Sequence, residues 1–242
     1  MSHAHVLARL RGTSTCFSRG QPVQNLILLQ SGRVKHTQVS PNGDEVLLRM
    51  SAEGDAVNVQ GQSGSCNHTH SARATENCEA LVWEYGRLQS LVAKYPQLRQ
   101  NLSRILASRI QELDERLCEL VTENVARRLA LVLLRLASKI GKQAKGGIQV
   151  SLSREELAQM TGATVFTISR IISRWSEQGF IKPLREAVLI CDRKRLEAAS
   201  NDKARLVHSS KGLTRVTEPK DESCEVCPLI WHEQSKSLTA VC

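Results

Sequence analysis

The stretch from Ser153 to Trp175 constrains this chain more than any other. Ser153 stands three residues before Glu156, the spacing at which a hydroxyl and a carboxylate close the first turn of a helix reciprocally. It predicts a helix from Arg154 to Met160. Thr161-Gly162-Ala163-Thr164 predicts a tight turn, and beyond it Ile168, Ile171, Ile172 and Trp175 recur at i, i+3, i+4 and i+7, the period of a helix with one buried face. Phe166, Ser169, Arg170 and Ser173 fall on the opposite face. Two short helices joined this way form a helix-turn-helix, whose second helix enters the major groove of a duplex. An apolar helix from Leu129 to Ile140 and an alternating strand at Ile148, Val150 and Leu152 precede it. After Gly179, strands at Phe180–Leu184 and Ala187–Cys191 around Arg185-Glu186 predict a wing. A helical hairpin without a ligand is the alternative; the cap, the outward polar face and the surrounding arginines argue against it.

Upstream, Leu106, Ile110, Leu113, Leu117 and Leu120 repeat at four, three, four and three residues, a heptad seam between Pro96 and Asn124. Arg109, Glu112, Asp114, Glu115 and Arg116 fill the positions between, leaving one narrow apolar stripe. The stripe packs either on the chain's own first domain or on a second copy of the helix, and the length of the helix favours the copy. The first 95 residues read as β-structure. Runs at Asn25–Leu29, Arg33–Val39 and Glu45–Met50 are broken by Ser31-Gly32, Pro41-Asn42-Gly43-Asp44 and Glu53-Gly54-Asp55. Asn42-Gly43 supplies the positive φ of a tight hairpin, so the second and third of these strands are expected to pair antiparallel. Short strands at this spacing point to a sandwich or small barrel.

The length of 242 residues suits two modest domains, and 33 Lys and Arg against 24 Asp and Glu leave a net charge of +9, which suits a polyanionic partner. The opening MSHAHVLARLRG lacks a signal peptide's apolar core, and Leu129–Ala137 is too short and arginine-rich to span a bilayer, so a cytoplasmic protein without membrane association is expected. In a reducing compartment the eight cysteines read as buried thiols, metal ligands or redox sensors rather than a disulfide framework. Cys16, Cys78, Cys118 and Cys191, among apolar neighbours, are expected in the core.

The segment from Ser153 to Gly162, followed by Thr167-Ile168-Ser169-Arg170-Ile171-Ile172-Ser173-Arg174, resembles the helix-turn-helix of the CRP/FNR family of bacterial regulators. Gln30-Ser31-Gly32-Arg33-Val34-Lys35, with Asn42-Gly43 and Gly54-Asp55 after it, is similar to the glycine-marked roll of that family's cyclic-nucleotide-binding-like domain. The resemblance covers about Phe17 to Leu196. It implies an α+β chain: a jelly-roll-like N-terminal β-roll sensor domain over 1–95, a dimerisation helix over 96–124, a winged helix-turn-helix over 125–199 and a polar tail over 200–242. It further implies a homodimer on a palindromic DNA site, with RNA polymerase as a partner and no enzymatic activity. Arg170 matches the family arginine that reads a guanine edge, and Ser169 would contact a base or a phosphate. Phe166 stands where the family often has a glutamate, which removes an acceptor for cytosine N4 and offers an apolar surface to a thymine methyl. Thr164, Thr167, Arg154 and Arg174 are candidate phosphate contacts.

In members that bind cyclic nucleotide, a Gly-Glu pair holds the ribose and an Arg-Ser pair the phosphate; here those places hold Val57-Asn58 and His68-Thr69, so tight cAMP binding is not expected. Arg73 could supply a phosphate site in a shifted register. The signal is therefore expected to be redox, oxygen or a small effector. Cys66, His68 and His70 alternate as on one face of a strand and could converge on a metal or a haem iron, or form a polar loop with no ligand. In the tail, Cys224 and Cys227, with His232 and Cys242, are candidate ligands for an iron-sulphur cluster or zinc, or belong to a polar extension that binds nothing. Two further readings stay open: a metal-dependent enzyme on the β-roll, and an architectural DNA-binding protein that answers to no signal.

Overall fold

The computed structural model of the protein describes residues 6–59 and 66–201. Strands β1 (Val6–Leu10), β2 (Thr15–Phe17), β3 (Asn25–Ser31), β4 (Val34–Val39), β5 (Glu45–Ser51), β6 (Ala56–Asn58), β7 (Ser71–Ala74) and β8 (Cys78–Glu84) form two four-stranded antiparallel sheets. Their orders are β1-β8-β3-β6 and β2-β7-β4-β5. Phe17, Val34, Ala72 and Ala74 from one sheet and Leu29, Val57, Cys78 and Ala80 from the other make a single apolar cluster, so the sheets pack face to face as a roll. The expected hairpin is β4–β5, with Val39 opposite Glu45. Gly32 has no substitute at the next turn. Its φ is +86°, and a Cβ there would lie 2.5 Å from Cys78 Sγ.

The β reading of the first 95 residues ends early, because Tyr85–Lys94 is a helix, α1, that buries Leu88. A single buried apolar position in ten residues gives little periodicity to detect. Helix α2 (Pro96–Thr122) starts on Pro96, whose ring presets the first-turn φ, and buries only Leu102 among the described residues. Helix α3 (Val125–Ile140) begins where the Asn124 side chain accepts the Arg127 N–H at 3.0 Å.

Strands β9 (Lys142–Ala144) and β10 (Gly147–Val150), helices α4 (Arg154–Thr161) and α5 (Val165–Glu177), strands β11 (Ile181–Leu184) and β12 (Ala187–Ile190) and helix α6 (Arg193–Asn201) complete the described chain. The third sheet runs β11-β12-β10-β9. Leu129, Leu133, Leu157, Ile168, Ile172, Ile181, Ile190 and Leu196 are fully buried together, and Leu47 and Met50 of β5 join the same cluster. The roll is thus fastened to the C-terminal domain by apolar contact. Polar fasteners reinforce it: Leu47 N–H donates to Gln159 at 3.0 Å, Arg33 donates to the Ile140 carbonyl at 3.3 Å, and Lys139 pairs with Asp55 at 3.0 Å.

Two of the expected core cysteines are exposed. Cys118 lies on a side of α2 that nothing among the described residues covers, and Cys191 follows β12 where the backbone bends away. Cys78 is buried and Cys16 half-buried.

Candidate nucleic-acid interface and effector cleft

The two-helix element is built by local rules. Ser153 Oγ accepts the Glu156 N–H at 3.1 Å, and the Glu156 carboxylate accepts the Ser153 N–H at 2.9 Å. Gly162 ends α4 in the left-handed region at φ 62°. Thr164 then caps α5, accepting the Thr167 N–H at 3.2 Å. Ile168, Ile172 and Trp175 bury one side of α5, which leaves Phe166, Arg170, Ser173 and Arg174 exposed on the other. Phe166 is 70% exposed, and the Arg170 guanidinium sits 5.8 Å from its ring centre. Arg154 donates to Ser169 Oγ at 3.4 Å, which ties a candidate phosphate contact to a candidate base contact. A convex basic face at the start of a capped helix can hydrogen-bond base edges and phosphates of a duplex together.

A second site lies between β5 and α2. A cleft of about 670 Å³ is lined by Arg49, Asn58, His70, Arg109 and Arg116, with Leu106, Ile110, Leu113, Leu117 and Leu120 along its α2 wall. Each guanidinium is held by a main-chain carbonyl: Arg49 by Val57 at 2.8 Å, Arg109 by Ala56 at 2.7 Å and Arg116 by Leu48 at 2.6 Å. Among the described residues none of the three forms an ion pair. Burial and then the Arg109 guanidinium push Arg49 down to about 9, while the carboxylates of Asp55 and Glu112 act the other way.

From Arg49 a hydrogen-bonded chain runs inward. Arg49 donates to Ser51 Oγ at 2.9 Å, Ser51 meets His36 Nε2 at 2.9 Å, and His36 Nδ1 meets His70 Nε2 at 3.0 Å. Burial first and Arg49 next hold His36 well below the usual imidazole range and His70 at about 4. Both rings are therefore neutral near pH 7, and one tautomer dictates the other.

The residues from 8 to 95 match the cyclic nucleotide-binding domain, and those from 127 to 199 match the Crp-like helix-turn-helix domain. The CRP-like cAMP-activated global transcriptional regulator of Mycobacterium tuberculosis is 31% identical over 184 residues, which is 75% of this chain and 82% of that one. The chain belongs to the CRP/FNR family of transcription regulators. The fumarate and nitrate reduction regulatory protein of Escherichia coli K12 is 26% identical over 69% of this chain and 67% of its own. A CRP/FNR-family transcriptional regulator of known structure from Thermus thermophilus shares the fold, with a TM-score of 0.71 at 18% identity over 81% of this chain and 98% of that one.

The residues at the family's nucleotide-holding places do not fit a cyclic nucleotide. Val57 is fully buried, and the Asn58 side chain is spent on Ile27 N–H at 3.0 Å and the Asn25 carbonyl at 2.6 Å. His68 lies flat on Phe17, ring centres 3.7 Å apart. Arg73 points outward from β7, since Ala72 and Ala74 on either side of it face the core.

The metal reading of Cys66, His68 and His70 needs correction. No group of three His, Cys, Asp or Glu side chains gathers among the described residues, because His68 is taken by Phe17 and His70 by His36. The described residues thus give the enzyme reading no such ligand set, and the mycobacterial relative is a transcription regulator. Cys224, Cys227, His232 and Cys242 lie outside the described residues.

Arg49, Arg109, Arg116, His36 and Ser51 are the residues that sequence reasoning missed. The heptad pattern puts Arg109 and Arg116 on a solvated face, yet they stand seven residues apart, two turns along one side of α2, and that side lies on the roll. An arginine inside the apolar run Val46–Met50 was the other signal. No helix among the described residues is long and apolar enough to cross a membrane.

Proposed function

We propose that this CRP/FNR regulator acts as a homodimer that reads a palindromic duplex with two copies of α5 and changes its grip when a small anionic effector enters the cleft beneath α2. The observation that carries the dimer is the stripe on α2. Ile110, Leu113 and Leu117 are 60%, 64% and 62% exposed, while Arg109 and Arg116 tie another side of the helix to the roll. A second copy of α2 along the stripe would bury the exposed remainder of these side chains at about 1–2 kcal/mol each. Two recognition helices would then meet half-sites about 34–36 Å apart.

The crowded guanidiniums support an anion as the signal. Arg49 belongs to the roll and Arg109 and Arg116 to α2, so an anion among them would draw helix and roll together. That alters DNA binding only by favouring one dimer arrangement over another. The mycobacterial relative is named as cAMP-activated; here the cassette differs, so another anion is the better candidate. Such a regulator would work in the cytoplasm, with RNA polymerase as the partner that turns binding into regulation.

Leu113→Glu tests the scheme by sedimentation and DNA binding together. The variant should sediment as a monomer and lose specific binding by more than about 100-fold. A monomer with full affinity would refute the dimer. Thermal shifts with a panel of small anions test the cleft: a shift that Arg109→Gln cancels supports it, and a shift that survives the substitution places the anion elsewhere.

A further inference from the structure

We propose that Phe166 reads the C5 methyl group of a pyrimidine rather than the identity of a base pair, so that thymine and 5-methylcytosine are equivalent at that position. The inference rests on α5 being the reading helix. Phe166 is the second residue of α5 and is 70% exposed, although a folding chain gains by burying a ring of that size. The ring contact it does make is with Arg170, one helical turn on, whose guanidinium sits 5.8 Å from its centre.

The cation–π contact has two consequences. It restrains Arg170, which keeps its planar donors available for a guanine O6 and N7. It also sets the distance between the two readers. A separation of 5.8 Å lies between one and two base-pair steps of about 3.4 Å, so the methyl that Phe166 meets belongs within two pairs of the guanine read by Arg170.

A phenyl ring has no hydrogen-bonding atom. It cannot accept from cytosine N4 or donate to thymine O4, which are the groups that distinguish the two pyrimidines in the major groove. What remains for it to sense is the methyl, carried at the same ring position by thymine and by 5-methylcytosine. The neighbouring hydroxyls already have partners within the protein: Thr167 Oγ1 pairs with Thr164 Oγ1 at 3.0 Å, and Ser169 Oγ accepts from Arg154 at 3.4 Å. The methylation state of the operator would thereby enter its affinity through one side chain.

The test begins by selecting duplexes from a random library with the full-length protein, then replaces the pyrimidine near the selected guanine, one base at a time. Thymine and 5-methylcytosine should bind alike. Deoxyuridine, which lacks only the methyl of thymine, should weaken binding about fourfold per half-site and roughly fifteenfold in both, as should unmodified cytosine. Phe166→Ala should bind all four alike while keeping the guanine, and Phe166→Glu should move the preference to cytosine. Deoxyuridine binding as well as thymine to the unaltered protein overturns the assignment but leaves DNA reading intact. A library that yields no consensus, with or without the panel of small anions, overturns DNA reading itself, and this assignment with it.

Discussion

The two cores of this regulator differ in kind. The DNA-binding domain is filled chiefly by Leu129, Leu133, Leu157, Ile168, Ile172, Ile181 and Leu196, large aliphatic side chains, and among the described residues it buries only Thr161 and Ser200 as polar ones. The roll is filled by small ones, chiefly Ala72, Ala74, Ala80, Val34 and Val57, and it also buries Arg33, His36, Thr37, Ser51, Asn58 and His68. An aliphatic interior yields one rigid arrangement, which a reading head needs. A polar interior must satisfy each group by a specific partner and gives less stability per residue, but it can respond to protons and anions. His68 Nδ1 is buried without a hydrogen-bond partner among the described residues, a cost that the aliphatic core does not carry.

The comparison can be broken most forcefully by truncation. Leu157→Ala should destabilise the DNA-binding domain by about 3–5 kcal/mol, whereas Val57→Ala in the roll should cost about half as much, measured by denaturant unfolding. Equal losses would erase the contrast. On the reading side, Arg170→Ala should cost about 1–3 kcal/mol per half-site in operator affinity and relax preference at one base pair, with stability unchanged because the residue is exposed. Competition binding against single-base variants reads both effects.

A third test uses pH. His36 and His70 stay neutral in the folded roll, held down by burial, by Arg49 of β5, by Arg109 of α2 and, for His36, by Lys139 of α3; the unfolded chain protonates them near 6.5. Between that value and about 4 for His70 the unfolded state binds more protons, so stability should fall as pH drops through this window. His36→Gln should flatten the slope in a series of thermal melts. A slope as steep as the parent's would remove the histidine pair as its source. The smallest effect belongs to Ser153→Ala, which should cost about 1 kcal/mol and loosen α4, visible as faster amide exchange at Glu156.

The sequence was informative where interactions are short in range. The reading head was legible because its cap spans three residues, its turn hangs on Gly162 and its buried face repeats within one helix. The stripe on α2 was legible for the same reason. The sensor was not. His36 and His70 are 34 residues apart and lie on or beside different strands, and a bulge between His36 and Thr37 sets which residue of β5 each faces. The run Cys66, His68, His70 suggested convergence by alternation, but Phe17, far earlier in the chain, claimed His68 by stacking.

What the sequence determined by itself is the family, the order of its parts and which face of α5 is buried and which exposed, since each follows from neighbours within a turn or two of one another. Only the tertiary structure decided that Arg49 from the roll and Arg109 and Arg116 from α2 line one cleft, and that β5, hydrogen-bonded to β4 of the roll, gives Leu47 and Met50 to the other core. Those outcomes depend on which distant surfaces pack. Packing is settled by the total burial of apolar area and the pairing of every buried polar group, quantities that no local window of residues contains.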